Sequence, residues 1–71
     1  MDVNGKLEGL QRYTLHGALW YRAFFALEGD EENIQTAQLP ADAFDETLKP
    51  GDLISVTMLL RTVMQIKRRK P

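Results

Sequence analysis

Glycine-bearing reversals cut this chain into short pieces, and that punctuation limits the fold more than any other feature. His16-Gly17, Gly29 and Lys49-Pro50-Gly51-Asp52 leave runs of roughly ten to twenty residues between them. Such runs suit strands and short hairpins better than the long helices of a bundle.

The first run, GKLEGLQRYTL at 5–15, reads as an irregular strand. Leu7 and Glu8 point to opposite sides, Gly9 interrupts, and Tyr13 and Leu15 resume the alternation. Glycine inside a strand pattern marks a bulge or a bend. His16-Gly17 then fits a two-residue hairpin turn, whose central residues take positive φ. With the turn centred there, Leu15 pairs with Ala18, Tyr13 with Trp20, Arg12 with Tyr21 and Gln11 with Arg22. The second run, ALWYRAFFAL at 18–27, is aromatic and β-prone, with a helix as the rival reading. Its odd positions, including Tyr21 and Phe25, share one face. Trp20, Arg22 and Phe24 share the other.

Gly29, Asp30, Glu31, Glu32 and Asn33 read as a polar, solvated loop. A short third strand covers 34–39 and ends at Pro40, which cannot donate to a ladder. Residues 41–47 are expected to form a short helical or 3-10 plug, with Asp42 as a cap and Phe44 closing one end of the core. Lys49-Pro50-Gly51-Asp52 has the chemistry of a type II turn. In the next strand Ile54, Val56, Met58 and Leu60 form the expected inward set. Arg61 and Thr62 make a reversal or bulge, and Val63, Met64 and Ile66 complete a last strand. The expectation is one domain over 1–67 and a fraying basic tail at 68–71.

The segment LPADAFDETLKPGDLISVTMLLRTVMQI at 39–66 resembles the second half of many small bacterial barrels. The five-strand order with a helix between the third and fourth strands is similar to the OB-fold. An SH3-like barrel, with only a 3-10 turn in the plug position, is the rival. The resemblance implies an all-β class: a small five-stranded antiparallel barrel. It stays at superfold level, and its sharpest piece, Leu48 to Asp52, encodes a turn and no chemistry, so no ligand follows from it.

Size and composition narrow the function. A 71-residue chain without cysteine and with His16 as its only histidine has no disulfide and no evident metal set. No cofactor is expected. It must be held by packing alone or with help from a partner. No apolar run approaches a spanning helix, and the first residues lack the pattern of a signal peptide, so a cytoplasmic setting is expected. Residues 1–66 carry five bases against ten acids, a net −5, while Lys67, Arg68, Arg69 and Lys70 make a basic end. An acidic body does not favour broad phosphate contact.

Two binding candidates emerge. One is the first hairpin, where Arg12, Tyr13, Trp20, Tyr21 and Arg22 offer cations and aromatic rings, divided between two faces. The other is the basic tail, Lys67 to Lys70, which would touch phosphate or an acidic partner, such as the acidic loop of a neighbouring subunit. No nucleophile with an orienting base, no phosphate loop and no dinucleotide fingerprint occurs. The sequence therefore points to a non-catalytic binding or assembly module acting through protein contacts or self-association. The alternative is an OB-like domain that binds single-stranded nucleic acid by stacking bases.

Overall fold

The computed structural model describes residues 1–69. Five strands form one antiparallel sheet: β1 (Asp2–Leu15), β2 (Ala18–Leu27), β3 (Asp30–Pro40), β4 (Leu53–Leu59) and β5 (Thr62–Arg68). The spatial order is β3-β2-β1-β4-β5. Three hairpin-linked strands followed by a fourth that returns beside the first is a Greek key. β5 then folds back on β4.

The first hairpin forms at the expected register, with Leu15 opposite Ala18 and Tyr13 opposite Trp20. Both turn residues have positive φ, 52° at His16 and 78° at Gly17, as a type I′ turn demands. The pairing slips between Leu7 and Gly9, which places the bulge at Glu8. The Phe24 ring lies against Gly9, where an added Cβ would stand 3.4 Å from it. The run 18–27 is a strand, and the helical rival falls.

β1 is the hinge of the sheet. Its first residues pair with β4 and its later ones with β2; only Gly5 and Lys6 pair with both. At Gly5 the neighbouring backbone comes so close that a Cβ would sit 2.6 Å from the Ala26 carbonyl oxygen. Glycine is the one residue that admits so close an approach.

Four local expectations are corrected. Asp30 to Asn33 belong to β3, because the Glu28-Gly29 pair alone makes the turn, with φ of 89° at Gly29. The plug is a single 3-10 turn at Ala41–Ala43; its cap is Pro40, and Asp42 lies in its first turn without capping it. The last hairpin reverses at Leu60-Arg61, one residue earlier than expected, so Thr62 is already in β5. β5 runs through Arg68, past the anticipated boundary at 67, while Lys70 and Pro71 lie outside the described residues.

The core fills one side of the sheet. Leu7, Tyr21, Phe25, Ile54, Val56 and Ile66 are fully buried, and Leu39, Phe44 and Leu48 close over them. Met58 packs against this cluster from its edge. The Pro50-Gly51 turn has the predicted hydrogen bond, Asp52 N–H to the Lys49 carbonyl at 3.0 Å. β3 and β5 are the two ends of the sheet, and no ladder joins them among the described residues. A single parallel bridge, Phe44 with Ile66, ties the segment after β3 to β5.

Candidate functional site

The hairpin candidates divide as the strand alternation requires. Tyr13, Trp20 and Arg22 occupy the outer face of β1 and β2, whereas Arg12 and Tyr21 lie opposite one another on the other side. Tyr21 is only 2% exposed and belongs to the core, so it is no surface contact. Arg12 stays exposed. On the outer face the polar groups satisfy each other. The Arg22 guanidinium stands 5.4 Å from the centre of the Tyr13 ring and donates to Gln11 Oε1 at 3.2 Å. The Tyr13 hydroxyl reaches across β2 to donate to Gln38 Oε1 at 2.8 Å. Trp20 is half-buried, between Tyr13 on one neighbouring strand and Pro40 on the other.

The basic tail is tied into the fold. Arg68 pairs with Asp52 at 3.4 Å and donates to the Thr47 carbonyl at 3.2 Å. Arg69 meets Glu28 of its own chain at 3.5 Å and donates to the Gly5 carbonyl at 3.2 Å. Its Nε is buried without a partner. Two of the four tail cations thus have intramolecular anions. Lys67 is exposed, and Lys70 lies outside the described residues. Phosphate affinity rests on cations free to replace counterions, and these two are already engaged.

The acids serve turns. Glu31 accepts from the Gly29 N–H at 2.8 Å and Asp30 from Asn33 Nδ2 at 2.7 Å. Asp45 accepts from the Thr47 hydroxyl at 2.6 Å and from its N–H at 2.9 Å. These bonds, the hydroxyl's first, hold the Asp45 carboxyl below its ordinary pKa. Among the described residues no group of three or more His, Asp or Glu side chains gathers to hold a metal. No helix among them is long and apolar enough to cross a membrane.

Two clefts flank β1. One, of about 300 Å³, is lined by Gly5, Ala26 and Leu53 together with the ionisable Lys6, Glu8, Glu28, Glu31 and Arg69. The other, of about 360 Å³, lies among Asp2, Asn4, Ser55 and the side chains 67–69.

The feature that sequence reasoning missed is the tip of the β4–β5 hairpin. Leu60, expected to point inward, is 90% exposed, and Leu59 beside it is 63% exposed. Met64 and Met1 are exposed as well. Met64 bulges out because the ladder slips there: Met58 pairs with Val63 and Thr57 with Gln65. Met1 joins this end through two backbone hydrogen bonds with Met58, at 3.0 and 2.8 Å. Leu60 has φ of 57°, a left-handed backbone that costs a leucine about 1–2 kcal/mol. That position of a two-residue turn is one that glycine fills without strain. The signal was present in the run Met58-Leu59-Leu60, where alternation fails just before a turn that needs two residues.

Comparison of the chain with protein-family models, with curated proteins and with solved structures returns no match. What fold and surface define is an all-β Greek-key sheet with an apolar hairpin tip.

Proposed function

We propose that this chain is a non-catalytic binding or assembly module that works through protein–protein contacts. The observation that carries the reading is the β4–β5 hairpin, where Leu59, Leu60 and Met64 are all exposed. Large apolar side chains exposed within one short hairpin mark an interaction site more often than single ones scattered over a surface do. A strained leucine at its summit fits the same reading, since strain persists where function selects the side chain. The scaffold is an OB-like, partly open five-stranded barrel; the Greek-key strand order supports it. The short 3-10 plug is the feature it shares with an SH3-like barrel.

A photo-reactive benzoylphenylalanine placed at position 60 tests the proposal in the cells that make the chain. Protein adducts should form from position 60 and not from position 36, an exposed site on β3. Equal yields from both positions, or none, would remove the proposal.

One observation favours a second reading, binding of single-stranded nucleic acid. Tyr13, Trp20 and Phe24 share the outer sheet face, as stacking platforms do. Against it stand the engagement of Arg22, Arg68 and Arg69 within the fold and the acidic body. Titration of Trp20 fluorescence with oligonucleotides at low salt separates the two, because stacking on that ring quenches it.

A further inference from the structure

We infer that the partner at the tip is a second copy of this chain, docked about a two-fold axis so that the two β4–β5 tips cover each other. The inference rests on the reading of the tip as a protein-contact site and names its occupant.

Charge is the first argument. Across 57–65 the only charged side chain is Arg61, at the apex of an otherwise apolar turn. Among the described residues it makes no ion pair. Covering that apex takes Arg61 out of water, so its partner surface must bring a carboxylate. Asp2 is such a carboxylate. It lies directly opposite Thr57, accepts from the Thr57 hydroxyl at 2.8 Å, and stands next to Met1 at the same end of the sheet. Each copy therefore carries a cation at the apex and an anion on its flank. A two-fold axis satisfies both at once, Arg61 of each copy facing Asp2 of the other.

The second argument concerns shape. A head-to-tail contact would require an apolar pocket elsewhere on the chain to receive Leu60. The cleft that holds Ala26 and Leu53 is ringed by Lys6, Glu8, Glu28, Glu31 and Arg69, which a leucine seated there would strip of water, and the other cleft is lined by polar and charged groups. Tip against tip is the arrangement in which apolar surface meets apolar surface. The chain's net charge of −1 sets little long-range repulsion against a second copy.

Area fixes the strength. Four exposed apolar side chains are far fewer than the roughly 20–30 residues a side that make up the ~800 Å² per partner of a standard stable interface. The pairing is weak and reversible, and it assembles where the chain is concentrated or held in place by other contacts.

Sedimentation equilibrium over a range of concentrations tests this on the purified chain. The wild type should rise from monomer to dimer mass with concentration. Leu60→Asn should lower the association constant at least tenfold while keeping the fold, because asparagine tolerates positive φ. Arg61→Asp and Asp2→Arg should each be monomeric alone and should form a mixed dimer when combined, since one native and one reversed ion pair then coexist. A strictly monomeric wild type, a Leu60→Asn variant that associates as well as wild type, or charge variants that do not recover on mixing would overturn the inference. A monomeric wild type that still gives adducts at position 60 with other proteins would leave the protein-contact reading standing without the self-association.

Discussion

The rings of Tyr21 and Phe44 stack with centroids 4.6 Å apart and planes 24° from parallel. Tyr21 comes from the middle of β2, and Phe44 from the segment just past the 3-10 turn. Phe44 also bridges to Ile66 on β5. Phe44 thus ties β2, through its ring, to β5, through its backbone, two strands that no ladder joins.

Phe44→Ala should therefore cost about 3–5 kcal/mol, a range that spans large-to-small changes at buried aromatics. A 71-residue domain without disulfides has little more than that in reserve. Far-UV circular dichroism during a urea titration should find the variant largely unfolded without denaturant. Phe44→Leu keeps an apolar side chain there but loses the stacking and some volume, so its midpoint should drop by less, the equivalent of about 1–2 kcal/mol.

The close approach of backbone at Gly5 predicts a second large effect. In Gly5→Ala the new methyl would meet the Ala26 carbonyl oxygen, which belongs to the backbone and cannot swing aside. The β1–β2 ladder must shift, at about 1–3 kcal/mol by analogy with overpacked cores. Amide hydrogen exchange locates the damage: protection should fall at Lys6 and Leu27 before it falls in β4 and β5.

How far the fold could be read from the sequence depended on the range of the interaction involved. The register of the first hairpin followed from His16-Gly17 alone, because a two-residue turn fixes every pair up to the next bulge. The Pro50-Gly51 turn and the burial of Ile54 and Val56 were equally local in origin. Gly5 was unreadable, since its role comes from Ala26, twenty-one residues away in the chain. The tail misled for the same reason: four consecutive cations look free until Glu28 and Asp52 are brought beside Arg69 and Arg68. Leu60 was assigned inward by extending the alternation of β4 one turn too far. For Trp20 and Tyr21 the pattern gave opposite faces but not which face was core.

At the hairpin tip, Leu60→Gly removes a side chain with little to pack against and relieves a left-handed backbone. Stability should rise by about 0.5–1 kcal/mol, after allowing for the greater freedom glycine gives the unfolded chain. A thermal melt of a few degrees' increase is the expected readout. A loss of stability would mean that Leu60 packs on its own chain in solution.

Asp45 supplies the pH dependence. Its carboxyl titrates below the ordinary value, chiefly because the Thr47 hydroxyl donates to it, then because the Thr47 N–H does. A group with a depressed folded-state pKa contributes stability that is fully present above its unfolded pKa. That contribution is lost as pH falls through the folded value, here from about pH 4 downward. Thr47→Val removes the hydroxyl and keeps the N–H. NMR titration of the Asp45 side-chain carboxyl should show its midpoint moving up toward the ordinary aspartate value. An unmoved midpoint would assign the depression to the N–H and to Arg68 instead.

Arg69 makes the last case, because its two contacts should respond differently to salt. Its ion pair with Glu28 is largely solvent-exposed on the acid's side, so the pair alone is worth at most about 1 kcal/mol and is screened. Its hydrogen bond to the Gly5 carbonyl is part-buried and sits where β1 pairs with both β2 and β4. Glu28→Gln should thus cost only a few tenths of a kcal/mol, and raised salt should erase that difference. Arg69→Ala should cost about 1–2 kcal/mol, because the Gly5 carbonyl loses a charged donor, and most of the loss should persist in high salt. Urea midpoints of the three proteins at low and high ionic strength decide between the contacts. If both variants lose equally and both recover in salt, Arg69 acts through Glu28 alone and the bond to Gly5 carries no weight.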